Sequence, residues 1–274
     1  MTAGRPYRGP VKAVIFDWAG TIVDFGSCAP VQVFVDAFAA CGIPVTPAEA
    51  RGPMGLPKWD HIAAMGRIAH VADAWLRLHG HPFGAEDIDE VYRRFLPLQV
   101  ETVARHAEPI PGAVEMIAAL RRRHIAIGST TGYSREVMAP LQPAAERHGI
   151  TVDNVVCAGD LAAGRPSPLM CLQTMIALQV WPAEACVKVD DTTPGIEEGL
   201  NAGMWTVGVT VSGNEVGLTR DAFAALPPHE REARRGTAEA KMRAAGAHFV
   251  LDSVAGLAPV IDEIEARLAA GRRP

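Results

Sequence analysis

No apolar stretch in this chain approaches the roughly 18 residues that a membrane-crossing helix needs, so insertion in a membrane is not expected. A basic stripe is missing as well: the formal net charge is −5 and the cations are scattered, which argues against nucleic acid as a partner. The five cysteines, Cys28, Cys41, Cys157, Cys171 and Cys186, include no Cys-x-x-Cys pair, so neither a disulfide framework nor a zinc site organises the fold. They are expected as small buried apolar side chains. Arg5, Arg8 and Lys12 precede an apolar run too short for a signal peptide and interrupted by Asp17, and the expected location is the cytoplasm. Internal repeats and low-complexity tracts are absent. What remains is an ordinary globular composition, 49% hydrophobic and 21% charged, in 274 residues, enough for one large domain or a core with an insertion.

The most informative segment is Ala13-Val14-Ile15-Phe16-Asp17-Trp18-Ala19-Gly20-Thr21. Four apolar residues predict a buried strand, and an acid directly after them stands at its carboxyl end, where open α/β sheets bind ligands. Taken alone, an Asp-x-x-Gly such as that of Asp17 more often just caps a turn. The rest of the chain decides between these readings. Apolar spacing predicts a helix over 30–41, helical patterns recur to about Glu101, and this block has no convincing strand. From Ile110 onward strands and helices alternate: helix 114–122, strand 125–128, helix 135–147, strand 154–157, helix 168–178, strand 186–189, helix 195–202 and strand 205–209. Such alternation predicts right-handed βαβ units and a doubly wound, Rossmann-like parallel α/β sheet. The first strand belongs with the later ones. Residues 1–24 and 109–274 are therefore expected to form the core, and 25–108 an all-helical cap inserted just after Asp17, placed to exclude water. The charged segment 227–241 reads as an exposed helix or a mobile loop, and Arg121-Arg122-Arg123 as cations at a helix C-terminus.

Each later strand of the core ends in a polar signature. Ser129-Thr130-Thr131-Gly132-Tyr133 offers hydroxyls and amides for phosphate oxygens, and Gly164-Arg165-Pro166 offers a planar cation suited to a phosphoryl group. In Asp190-Asp191-Thr192-Thr193-Pro194, Pro194 suits the start of a helix and Thr193 its cap. Adjacent acids at a strand end are costly unless a cation neutralises them, and Asp17 adds a third carboxylate. Mg²⁺ is the expected species.

In this order the signatures resemble those of the haloacid dehalogenase superfamily, over nearly the whole chain. The resemblance implies Asp17 as nucleophile and metal ligand, the Ala19 carbonyl as a second ligand, and Asp191 with Asp190 completing the Mg²⁺ site. It also implies Ser129 or Thr131, together with Arg165, as phosphoryl-binding residues. One departure is informative. Phosphatases of this superfamily carry a second acid two residues after the nucleophile to protonate an alkoxide, and here that position is Ala19.

The loop Arg51-Gly52-Pro53-Met54-Gly55-Leu56-Pro57-Lys58-Trp59-Asp60-His61 resembles the substrate-specificity loop of the phosphonoacetaldehyde hydrolase family. So do Asp17-Trp18-Ala19-Gly20-Thr21, Ser129-Thr130-Thr131-Gly132-Tyr133, Ala163-Gly164-Arg165-Pro166 and the stretch Asn201-Ala202-Gly203-Met204-Trp205-Thr206-Val207-Gly208. The resemblance implies that Lys58 forms a Schiff base with the aldehyde of a small phosphonate substrate, with Met54 and Gly55 lining the substrate and His61 and Tyr133 relaying protons. Lys58 and His61, three apart, share a helical face. An iminium accepts the electrons of a breaking carbon–phosphorus bond, so no alkoxide forms and Ala19 is no handicap. A homodimer through cap helices is also implied. Some relatives carry an acid four residues after the Asp191 position, where this chain has Gly195. The competing expectations are a capped Mg²⁺ phosphatase or phosphomutase acting on a phosphate ester, disfavoured by Ala19, and a silent binding protein on the same fold, disfavoured by the presence of Asp17, Arg165 and the acidic pair Asp190-Asp191.

Overall fold

The computed structural model describes residues 6–274, so Arg5 and the first five residues of the expected core lie outside the described residues. β1, Ala13–Phe16, is buried at every position. After it come five helices, α1 (Ala29–Ala40), α2 (Pro47–Arg51), α3 (Lys58–Gly66), α4 (Ala69–His79) and α5 (Ala85–Val103). The alternating part comprises α6 (Ala113–Arg122), β2 (Ala126–Thr131), α7 (Arg135–Arg147), β3 (Asn154–Cys157), α8 (Leu169–Leu178), β4 (Cys186–Asp190), α9 (Thr193–Asn201) and β5 (Trp205–Val209). The chain closes with α10 (Arg220–Ala225), α11 (Pro228–Ala244), β6 (Phe249–Leu251) and α12 (Leu257–Ala269).

All six strands are parallel, in the order β3-β2-β1-β4-β5-β6. This is the expected doubly wound sheet, and its direction of winding reverses between β1 and β4, where ligands bind in such sheets. Phe16 pairs with Ser129 on one side and Val189 on the other, so the residues that follow these strands meet at one edge. The Asp17 N–H extends the ladder by donating to the Val189 carbonyl at 3.0 Å. One face of the sheet packs Val14, Phe16, Ile127, Val187 and Val189 against residues of α6, α7 and α12, among them Leu120, Leu141 and Ile261. The other face sets Ile15 and Cys186 against Cys171, Met175 and Met204.

The five helices between β1 and α6 bury an apolar cluster of their own, including Phe34, Phe38, Ile62, Met65, Trp75 and Phe95. The Phe34 and Phe95 rings stack at 4.3 Å. α2 starts on a reciprocal cap. The Thr46 hydroxyl accepts from the Glu49 N–H at 3.2 Å, and the Glu49 carboxylate accepts from the Thr46 N–H at 2.8 Å.

Several elements differ from the sequence expectation. β2 runs on through Thr131, so the hydroxyls at 129–131 alternate between faces of a strand instead of sharing a loop. α9 is capped by Thr192, whose hydroxyl accepts from Gly195 N–H, and not by Thr193, which already lies in the helix. Of the two readings of segment 227–241 the helix is the one found, since Pro227 caps the 17-residue α11 that follows it, whereas the short β6 and α12 have no counterpart in the expected elements.

Candidate active site

Asp17, 6% exposed, stands at the end of β1, and Arg165 reaches it from the segment between β3 and α8. The Arg165 Nη2 donates at 2.7 Å both to Asp17 Oδ1 and to the Thr130 carbonyl, and lies 3.3 Å from Asp190 Oδ2. Its Nε donates to Glu198 Oε2 at 3.1 Å. Lys188, in the middle of β4 and fully buried, donates to the Thr130 hydroxyl at 2.7 Å and pairs with Asp190 at 3.0 Å and Glu198 at 3.3 Å. Two buried cations thus share three buried acids. Breaking such a network by removing one member leaves an uncompensated buried charge. Lys188 and Glu198 have no place in the sequence reading; the available signal is a lone lysine inside the apolar strand Cys186-Val187-Lys188-Val189.

Asp17, Asp190 and Asp191 each present a carboxylate oxygen within 4.8 Å of the others. Burial and the neighbouring Asp190 push the Asp17 carboxyl up to about 6, against the opposing pull of Arg165. Asp191 is raised well above the usual carboxylate range, by burial first and then by Asp17 and Asp190. Asp190 moves the other way: burial opposes its charge, but Arg165, Lys188 and the Thr192 hydroxyl more than compensate. Asp191 Oδ2 accepts the Asn214 N–H at 2.8 Å, while Oδ1 is buried without a partner. A strongly raised acid with an unpartnered oxygen, beside two other carboxylates, is the donor set that a hard divalent cation fits. Ala19 lines the same cavity.

Gly195 occupies the first turn of α9 directly against the Asp190 carboxyl, and a Cβ there would overlap that group. Position 195 therefore has no room for the acid found in some relatives. Gly195→Ala is expected to displace Asp190 from Lys188 and lower stability by about 1–3 kcal/mol, the usual cost of overpacking. Thermal unfolding measures this, and an unchanged midpoint would show that α9 has slack.

Lys58, the first residue of α3, is 7% exposed and faces this cavity from the helical block. Among the described residues its ammonium has no carboxylate partner; Nζ lies 3.9 Å from Met54 Sδ, 5.2 Å from the Tyr133 ring centre and 5.5 Å from that of Phe34. Burial lowers its pKa to about 8, with Asp17 pulling upward and Arg165 downward. Gly55 lies against the Thr192 hydroxyl, so the loop carrying Met54 and Lys58 approaches the core through a position with no side chain. Tyr133 also lines the cavity; its hydroxyl is buried without a partner and held firmly protonated, chiefly by burial. His61 stacks on Phe34 at 3.8 Å and donates from Nε2 to the Ala50 carbonyl at 2.8 Å. That bond fixes the tautomer and leaves Nδ1 a bare, buried acceptor. Burial, followed by the Lys58 charge, keeps the ring neutral.

Of the two hydroxyls expected to hold phosphate, only that of Thr131 reaches the cavity, where it accepts the Tyr133 N–H at 3.1 Å. Ser129 is not brought there: two positions earlier on β2, its hydroxyl donates to the Asn154 carbonyl of β3 at 3.0 Å. Thr130 faces the opposite side, toward Arg165, Lys188 and Glu198.

The profile of haloacid dehalogenase-like hydrolases matches residues 11–203. A phosphonoacetaldehyde hydrolase of Aeromonas hydrophila is 56% identical over 266 residues, covering 96% of this chain and 95% of the relative. One from Paraburkholderia phytofirmans is 52% identical over 264 residues, covering 96% and 99%. The crystal structure of a phosphonoacetaldehyde hydrolase-like protein from Oleispira antarctica superposes with a TM-score of 0.97 at 47% identity, covering 100% of this chain and 99% of the other. The chain belongs to the haloacid dehalogenase-like hydrolases and, within them, to the phosphonoacetaldehyde hydrolase family.

Proposed function

We propose that this chain hydrolyses the carbon–phosphorus bond of phosphonoacetaldehyde to acetaldehyde and phosphate, with residues 25–108 acting as a cap over a core of 1–24 and 109–274. The observation that carries the reading is a buried lysine without a carboxylate partner, facing the same cavity as Asp17, in a chain with alanine at position 19. The neutral Lys58 amine adds to the aldehyde and expels water, giving an iminium one carbon from phosphorus. Asp17 attacks phosphorus; the carbon–phosphorus electron pair moves into the iminium and an enamine leaves. Protonation at carbon and hydrolysis of the imine release acetaldehyde and restore Lys58. Water then cleaves the aspartyl phosphate.

Arg165, already on Asp17 and backed by Glu198, is placed to follow charge onto the phosphoryl oxygens, and the Thr131 hydroxyl and its turn amides supply further donors. The partnerless Tyr133 hydroxyl and His61 Nδ1 support proton transfer during formation and breakdown of the imine. Met54 and Phe34 keep the amine in an apolar setting. Mg²⁺ held by Asp17, Asp191 and the Ala19 carbonyl, with Asp190 beside them, would neutralise the carboxylates and polarise the phosphoryl group.

We further propose a homodimer through cap helices, supported by the exposed leucines of α4, Leu76 and Leu78, 48% and 57% exposed. A cytoplasmic location is supported by five cysteines that are all free. The test of function is a side-by-side assay: phosphonoacetaldehyde is expected to turn over at least roughly 10³-fold faster in kcat/KM than simple phosphate esters, a gap of about 4 kcal/mol in transition-state stabilisation. Comparable rates would favour the phosphatase reading.

A further inference from the structure

Arg51 and Asn214 belong to no step above, yet they join the helical block to the carboxylate most in need of a cation. Arg51 closes α2. Its Nη1 donates to the Gly26 carbonyl at 2.8 Å, the Ser27 carbonyl at 3.3 Å and Asn214 Oδ1 at 3.2 Å. Asn214 returns a bond from Nδ2 to the Arg51 carbonyl at 3.3 Å. The pair is therefore reciprocal, each residue donating to and accepting from the other across the boundary between α2 and the segment that follows β5.

The same Asn214 holds the core acid, since its N–H is the donor on Asp191 Oδ2 at 2.8 Å. The loop around it has little freedom. Ser212 donates to the Gly20 carbonyl at 2.8 Å and accepts the Gly26 N–H at 2.7 Å, and a Cβ at Gly213 would lie 2.5 Å from that of Asp191. Gly217, at φ +65°, lies flat under the guanidinium: a Cβ there would stand 2.7 Å from Arg51 Nε.

We infer that Arg51 and Asn214 are positioning residues that latch the seated helical block to Asp191, holding Oδ2 so that Oδ1 points at the cation. When the block that carries Lys58 is seated, Arg51 pins Asn214, and the Asn214 amide fixes the carboxylate rotamer. When the block lifts, the two bonds that Arg51 and Asn214 exchange are lost together, and Asp191 is left to a loop with fewer ties. Seating of the amine and order at the metal site are then one equilibrium, and each favours the other by the same free energy. The inference rests on the proposed reading of Asp191 as a metal ligand.

The test measures Mn²⁺ affinity of the full-length protein by the electron paramagnetic resonance signal of free Mn²⁺, without substrate. Asp191→Asn establishes the reading beneath: Mn²⁺ binding is expected to weaken by at least about 10-fold, and an unchanged affinity would remove both the metal reading and the latch. Given that loss, Arg51→Ala and Asn214→Ala are each expected to weaken Mn²⁺ binding by roughly 10-fold, the scale of changes in groups that orient a ligand. The double variant is expected to be no weaker than either single one, because both break one unit. Gly217→Ala, which displaces the guanidinium while keeping both polar side chains, is expected to behave alike and covers the case of a poorly folding Arg51 variant. Folded variants at positions 51, 214 and 217 with the parent affinity would overturn the latch, as would fully additive losses.

Discussion

Lys58→Met is expected to lower turnover of phosphonoacetaldehyde by roughly 10⁴-fold or more, the range seen when a covalent catalytic group is removed, while the protein stays folded. Methionine keeps most of the apolar stem and deletes the amine, so the change separates chemistry from packing. Without an iminium the departing group is a carbanion, and nothing else in the cavity can take the electron pair: Tyr133 and Arg165 are donors of protons and charge, not electron sinks. Borohydride added with the aldehyde should trap a stable adduct on the parent protein and none on the variant, read by mass spectrometry of the peptide holding residue 58. Burial lowers the Lys58 pKa from 10.5 to about 8, among Asp17, Arg165, Asp191 and Tyr133. Only the neutral amine attacks. The trapping rate is therefore expected to rise as the pH climbs through about 8 and to level off above it. A midpoint near the ordinary lysine value would place the amine in water, and full turnover by Lys58→Met would remove the imine route.

That amine also marks how far the sequence alone carries the argument. The core is legible because β1 and β4 are short apolar runs with an acid at the carboxyl end, Asp17 directly after β1 and Asp190 closing β4, and β2, which closes on Thr131, lies beside β1 in the sheet. The inserted helices are legible as one long strandless block. Lys188 and Glu198 are not, because their partners Thr130 and Arg165 come from other elements, and a residue's neighbours across a sheet leave no spacing in the chain. Ser129 and Thr131 look equivalent as a hydroxyl cluster; only the strand pleat, which sets Ser129 on the Asn154 carbonyl, tells them apart. β6 escapes for a simpler reason. Phe249–Leu251 is three residues long, half-buried on the sheet edge, and follows a helix whose charge hides any periodicity.

Asp17→Asn is expected to abolish phosphate release and yet leave the Lys58 adduct trappable, since amine addition to the aldehyde needs no nucleophile on phosphorus. The amide is nearly isosteric and can still accept from Arg165, so Arg165 keeps its places on Thr130 and Glu198 and the network survives. What is lost is the negative oxygen proposed to attack phosphorus and one of three carboxylates within 4.8 Å. The loss in kcat should be about 10⁴-fold or greater, as for removal of other nucleophiles. A second readout separates the two losses. Added Mg²⁺ is expected to raise the unfolding temperature of the parent with the logarithm of its concentration, and this rise should shrink in the variant because the remaining pair, Asp190 and Asp191, holds the ion less well. A variant that still released phosphate would require another nucleophile, and no other carboxylate lining the cavity is as near Arg165: Asp191 is turned onto the Asn214 amide. A variant that lost the trapped adduct along with phosphate release would instead show that the Asp17 charge is needed to set the Lys58 amine, and the two halves of the mechanism would have to be treated as one step.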